Sequence, residues 1–229
     1  MKLRYILNEA AYDSIVLKIS RSLINLLNDI LKQHRDSAKT FNVKKAFRLP
    51  WNENVILIIS FNVNINPEGL TTAFKFDSKM LETKNDDTVS VIINLDINRK
   101  YVLTNFNELI AELKNILRHE IEHITVDPIV GKKSKSVNND SNKYYDMLNP
   151  SGDIDSEKTF EYLSNPEEIA AMVHGLNKES KTSKQNIISL FSRDLQRFID
   201  SDSITLNQAN EILAKWISYA QKANIIISR

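Results

Sequence analysis

Cysteine is absent from the 229-residue chain. That removes disulfides, thiolate metal ligands and a cysteine nucleophile together, so any zinc site has to use histidine and carboxylate. Only four glycines are present, and none forms a glycine-rich phosphate loop. Neither sign of charge dominates: the formal net charge is +1, so nothing requires nucleic acid or an anionic membrane as a partner. Basic and aromatic residues do not interleave as a single-strand nucleic-acid platform requires. No paired strand-end carboxylates suggest a glycosidase. No apolar run reaches the length of a membrane span, and Glu9 and Asp13 interrupt the first residues where a secretory signal needs a continuous apolar stretch. The expected location is the cytoplasm.

Hydrophobic residues make up 42% and charged residues 26%, the balance of a globular chain long enough to bury a sizeable core. The expected organisation is one domain over 1–229, with 183–229 as a helical hairpin that could be appended to it. Apolar residues Val16, Ile19, Leu23, Leu26, Leu27 and Ile30 recur at spacings of three and four, which predicts a helix over about Ala10–His34. Residues Ser37–Asn54 read as irregular. Val55–Ile65, Thr71–Asp77 and Thr88–Ile97 are β-branched or alternating and read as strands, with Pro67-Glu68-Gly69 and Asn85-Asp86-Asp87 between them. The connections are too short for crossover helices, so the strands are expected to form an antiparallel meander.

A long helix is predicted next. Thr104 or Asn105 can cap it, and Asn105 with Glu108 has capping-box spacing; Phe106, Leu109, Ile110, Leu113, Leu117 and Ile124 form its apolar stripe. Val126–Leu163 reads as a long loop that Tyr144, Tyr145, Met147 and Leu148 could pin. Three helices are expected after it. One begins at Asn165-Pro166, one spans about Ser183–Asp200, and one starts at Thr205 with Gln208 closing a capping box.

The chemistry concentrates in Arg118–His123, which reads RHEIEH. His119, Glu120 and His123 fit the H-E-x-x-H pattern. On a helix, residues four apart lie one turn above each other and differ by about 40° around the axis, so the two imidazoles can converge on one ion. Neutral imidazole is a good zinc ligand, and zinc with three protein ligands keeps a position open for water. Glu120 stands where a general base is needed to take that water's proton and pass it to a leaving amine. The plainer reading is a polar face on a surface helix, to which Arg118 and Glu122 would belong.

Two histidines need a third protein ligand. A histidine six residues beyond His123 is lacking, since Ile129 occupies that position, and the remaining histidines, His34 and His174, stand alone. A carboxylate on a later helix is the other option, and Tyr162–Leu176 (YLSNPEEIAAMVHGL) offers Glu167 and Glu168. HEIEH followed by P-x-E-I-x-A resembles the gluzincin-type, zincin-like metallopeptidases, particularly short ones encoded by bacteria and their phages. The resemblance covers Asn105–Leu176. It implies an α+β, zincin-like fold: an N-terminal helix, a small mainly antiparallel sheet of about three strands, the HExxH helix, then C-terminal helices. It also implies Zn2+ held by His119, His123 and Glu168, with Glu120 catalytic and a protein or peptide as substrate. Glu168 also sits at the capping-box position if Asn165 is the N-cap, and Glu167 takes that position if Ser164 is. Either glutamate therefore stays open as the ligand. Val89–Leu95 could serve as an edge strand for substrate, and Tyr144, Tyr145, Tyr162 or His174 could stabilise an oxyanion.

Two other functions compete with the peptidase. One is a metal-binding structural protein on the same scaffold, for instance a virion component with an unknown viral or self-assembly partner. The other is a helical interaction module without metal. A phage-encoded chain would sit in the host cytoplasm or the virion.

Overall fold

A computed structural model describes residues 2–33, 39–50, 52–67, 70–82, 88–124 and 156–225. The described elements are α1 (Lys2–Gln33), β1 (Lys39–Leu49), β2 (Asn52–Ile65), β3 (Phe74–Glu82), β4 (Thr88–Ile97), α2 (Arg99–Val102), α3 (Phe106–Ile124), α4 (Ser156–Ser164), α5 (Pro166–Ser183), α6 (Ile187–Asp200) and α7 (Leu206–Lys222). The class is α+β, with the N-terminal helix, a small sheet and C-terminal helices in the expected order. The chain divides into two compact units, 1–120 and 121–229, and the boundary falls within the continuous helix α3. Among the described residues, no helix is long and apolar enough to cross a membrane.

The sheet differs from the expected three-stranded meander. It has four strands in the order β1-β2-β4-β3. β1 lies where the sequence read as irregular. Its inward positions Phe41, Val43, Phe47 and Leu49 alternate as a strand requires, but Lys45 occupies the middle of that row and disguises the pattern. Lys45 is accommodated by α1, where its ammonium donates to Ser22 Oγ at 2.7 Å.

The second difference is direction. β1/β2 and β3/β4 are antiparallel, but β2 and β4 are parallel, paired from Ile56↔Thr88 to Ile65↔Ile97. The chain does reverse at each connection. However, the segment after β2 carries it one position further along the sheet, and β4 then fills the gap. That segment is tied across the end of β4: Asn66 N donates to Ile97 O (2.7 Å), Asn98 N to Ala73 O (2.9 Å) and Asn98 Nδ2 to Leu70 O (3.3 Å). Asn66 takes the left-handed conformation, φ 49°, which asparagine tolerates better than most residues. The Val/Ile-dense strands β2 and β4 thus take the interior, while β1 and β3, with Lys39, Lys44, Lys75 and Lys79, take the edges, where charge discourages further pairing.

Alternation gives the sheet one apolar face. Leu57, Ile59, Phe61, Val63 and Ile65 of β2 and Val91, Ile93, Leu95 and Ile97 of β4 are buried. The other face carries a polar ladder: Asn62 Nδ2 donates to Asn94 Oδ1 (2.8 Å), and Asn64 Nδ2 to Asp96 Oδ1 (2.7 Å). In α1, Val16, Ile19, Leu23 and Leu27 are fully buried.

The second unit packs α4–α7 around Trp216 and Phe191, both fully buried and edge-to-face with centroids 5.5 Å apart. Trp216 Nε1 donates to Leu163 O at 3.4 Å, giving the buried indole its polar partner. Helix starts follow the sequence. Asn165, Asn186 and Thr205 cap α5, α6 and α7, and Thr205 with Gln208 forms the expected capping box. α4 corrects the end of the expected loop, since Ser156–Ser164 is helical with Thr159 and Leu163 buried. The rest of that loop lies outside the described residues, as does His34. A forked ion pair joins α5 to α6: Arg193 Nη1 and Nη2 donate to the two oxygens of Glu179 at 2.6 and 3.0 Å. Burial pushes the neighbouring Asp194 carboxyl above its ordinary range, while Arg193 and Arg197 pull it down.

The Glu179 side chain is only 4% exposed, so losing its fork leaves a buried charge poorly compensated. Because Arg193 is one-third exposed, Arg193→Met is expected to cost about 1–3 kcal/mol, below the range of a fully buried pair. Arg193→Lys should recover only part of that, since an ammonium cannot fork. Urea unfolding of the three proteins checks both.

Candidate metal centre

The last two turns of α3 are unusual in what they bury. Arg118 is 1% exposed, Glu120 5%, Glu122 6% and His123 7%. The surface polar face considered from sequence is therefore not what forms. Burying such groups is costly unless each is paired or bonded. Arg118 has one such contact on α1, its guanidinium carbon lying 5.3 Å from the centre of the Tyr12 ring. Glu120 accepts a hydrogen bond from Ser78 Oγ on β3 at 2.7 Å.

The expected start of α3 is altered in detail. Asn105 does hold the N-cap position, its carbonyl accepting from Leu109 N at 3.0 Å. Its side chain does not reach forward to make a capping box. It turns back, Nδ2 donating to Tyr101 O at 2.9 Å. Leu109, Leu113, Leu117 and Ile121 are buried along the helix, and this stripe fixes its rotation. The same rotation aims His119 and His123 together, because one continuous helix carries both.

Glu168 arrives from the first turn of α5. Pro166 follows the cap Asn165, whose Oδ1 accepts from Glu167 N at 3.0 Å. Asn165 rather than Ser164 is thus the cap. Glu168 is 4% exposed, and its Oε1 stands 3.4 Å from His123 Nε2. Ile169, Ala170 and Ala171 directly behind it are buried, so the glutamate is set on a tightly packed turn. Glu167 is more exposed than Glu168 and does not join the group.

One ligand atom from each of His119, His123 and Glu168 lies within 4.8 Å of the other two. Donors of a tetrahedral site with bonds of about 2.0–2.2 Å stand about 3.3–3.6 Å apart, so small side-chain movements would bring the three onto a common centre. His119 is half-buried, and His123 and Glu168 are buried. Two imidazoles and a carboxylate are also a donor set that divalent transition metals accept. The triad can therefore hold a metal ion.

The other sequence candidates do not join it. His174 Nε2 meets Tyr219 Oη at 3.0 Å, with the rings edge-to-face, in a buried pair that ties α5 to α7. Tyr162 is half-buried on α4, and Tyr144 and Tyr145 lie outside the described residues. Val89–Leu95 is not an edge strand, since β4 is flanked by β2 and β3; the edge nearest α3's Glu120 is β3, through Ser78. Sequence reasoning missed Ser78. The signal was its place on the apolar side of β3, in the row Phe74, Phe76, Ser78, Met80, where alternation calls for another apolar residue.

The triad predicts about one equivalent of tightly bound divalent metal per chain. His123→Ala and Glu168→Ala should each lower the affinity by at least about tenfold, while Glu167→Ala leaves it unchanged. Calorimetric titration of Zn2+ into chelator-treated protein measures all three. Comparison with known proteins matches no family model, no curated protein and no solved structure.

Proposed function

We propose that the chain is a zinc-dependent peptidase in which His119, His123 and Glu168 hold the ion and Glu120 is the general base. The observation that carries this reading is the convergence of two imidazoles and a buried carboxylate, with an acid directly after the first histidine. The resemblance of HEIEH and the Pro166–Ala171 turn to the zincin-like metallopeptidases agrees with it, as does the α+β order of elements.

Zinc bound there would polarise the scissile carbonyl and bring the pKa of a water to about 7. Glu120 would take a proton from the water as its oxygen bonds to the carbonyl carbon. When the C–N bond breaks, the same carboxyl would return that proton to the leaving nitrogen. The products are a carboxylic acid and an amine, and the acid's proton then passes to the amine to leave a carboxylate and an ammonium. A carboxylate suits this shuttling because it offers two oxygens and several acceptor directions. Glu120 is mostly shielded from solvent, which strengthens its hydrogen bonds and charge interactions.

Protein or peptide is the substrate class this chemistry serves. Glu120→Gln keeps the size of the side chain but removes its basicity. Zinc content should stay at about one per chain, while hydrolysis of a quenched-fluorescent peptide library falls by about 10²–10⁴-fold. Undiminished hydrolysis would show that another group is the base. A zinc-loaded wild type that cleaves nothing in the library would place the protein with metal-binding structural proteins instead.

A further inference from the structure

We infer that Ser78 is a positioning residue for Glu120, its hydroxyl fixing the rotation of the carboxylate that moves the proton; this rests on the peptidase reading above. Ser78 Oγ donates to Glu120 Oε1 at 2.7 Å, the ordinary length of a well-formed O–H···O bond. Ser78 stands at the centre of β3, paired with Ile93 of β4 in an unbroken antiparallel register from Phe74↔Ile97 to Glu82↔Val89. Its backbone is therefore held by the sheet, and the hydroxyl approaches Glu120 from a rigid element.

Ser78 is half-buried in a row of otherwise apolar side chains. Ser78 shares its side of β3 with Phe74, Phe76 and the buried Met80, and its cross-strand partner Ile93 is fully buried. A hydroxyl in that row gives up apolar packing, and a hydrogen-bond partner offsets the partial loss of water. Glu120 supplies one and gains in return. A glutamate on a helix has three side-chain torsions, and a single donor on one oxygen selects among their states. The carboxylate's other acceptor directions are not consumed by that bond. Proton transfer depends on such placement, because misplacement of about 1 Å costs about 10²-fold in rate.

A structural role alone would let any side chain of suitable shape replace serine. Four full-length proteins separate the possibilities: wild type, Ser78→Ala, Ser78→Thr and Ser78→Val, each loaded with Zn2+. Ser78→Ala should bind zinc as wild type does and hold KM within about twofold, with kcat lowered about 10–100-fold. Ser78→Thr, which keeps the hydroxyl, should restore kcat to within a few-fold. Ser78→Val has almost the shape of threonine without the hydroxyl, and should resemble Ser78→Ala. Equal rescue by threonine and valine, or an unchanged kcat in Ser78→Ala, overturns the positioning role.

A second readout needs neither metal nor turnover. In urea unfolding of the metal-free protein, Ser78→Ala and Glu120→Ala should be coupled. The double variant's unfolding constant should depart from the product of the single effects by about fivefold or more. Additive effects would show that Ser78 does not hold Glu120. Coupling together with a zinc-loaded wild type that lacks hydrolysis would instead sink the peptidase reading while leaving the contact intact.

Discussion

A buried carboxylate facing a buried imidazole dominates the second half of the molecule. Glu168 Oε1 stands 3.4 Å from His123 Nε2, and both side chains are almost sealed from solvent. Removing a carboxylate from water costs several kcal/mol unless it is paired or bonded, so this burial needs partners. A divalent ion bound by both would add positive charge beside the carboxylate. With His119 one turn away on the same helix, the group offers three donors. Pro166 and Asn165 start α5 abruptly, and Ala170 and Ala171 pack tightly behind Glu168.

In α3's last turns Arg118, Glu120 and Glu122 are buried beside His123, and burying such groups is costly unless each is paired or bonded. Ser78 is the partner identified for Glu120, and the Tyr12 ring lies beside Arg118. If Glu120 is the base, the residue that orients it comes from β3, some 40 positions earlier in the chain.

Much of this was legible from residue spacing. The helices α3, α5, α6 and α7 follow from periodicity and from Asn165 and Thr205 as caps. The pair His119 and His123 follows from the helical repeat alone. Other features depended on partners distant in sequence. β1 was hidden by Lys45, a half-buried lysine on an inward position whose ammonium donates to Ser22 of α1. The parallel β2–β4 pair was hidden because short connections report reversals of direction but not how far along the sheet the chain steps. Glu168 could not be separated from a capping role until Asn165 was seen to bond Glu167 N while Glu168 faced His123. Ser78 is a serine among apolar neighbours, and only its contact with Glu120 gives it meaning.

X-ray absorption at the zinc edge, on full-length protein loaded with one equivalent of Zn2+, tests the central claim most directly. The account predicts a first shell of low-atomic-number scatterers at about 2.0–2.2 Å with the outer-shell signature of two imidazoles, reduced to one imidazole in His119→Ala. A shell of water oxygens without imidazole scattering, or a spectrum unchanged by that substitution, would contradict it.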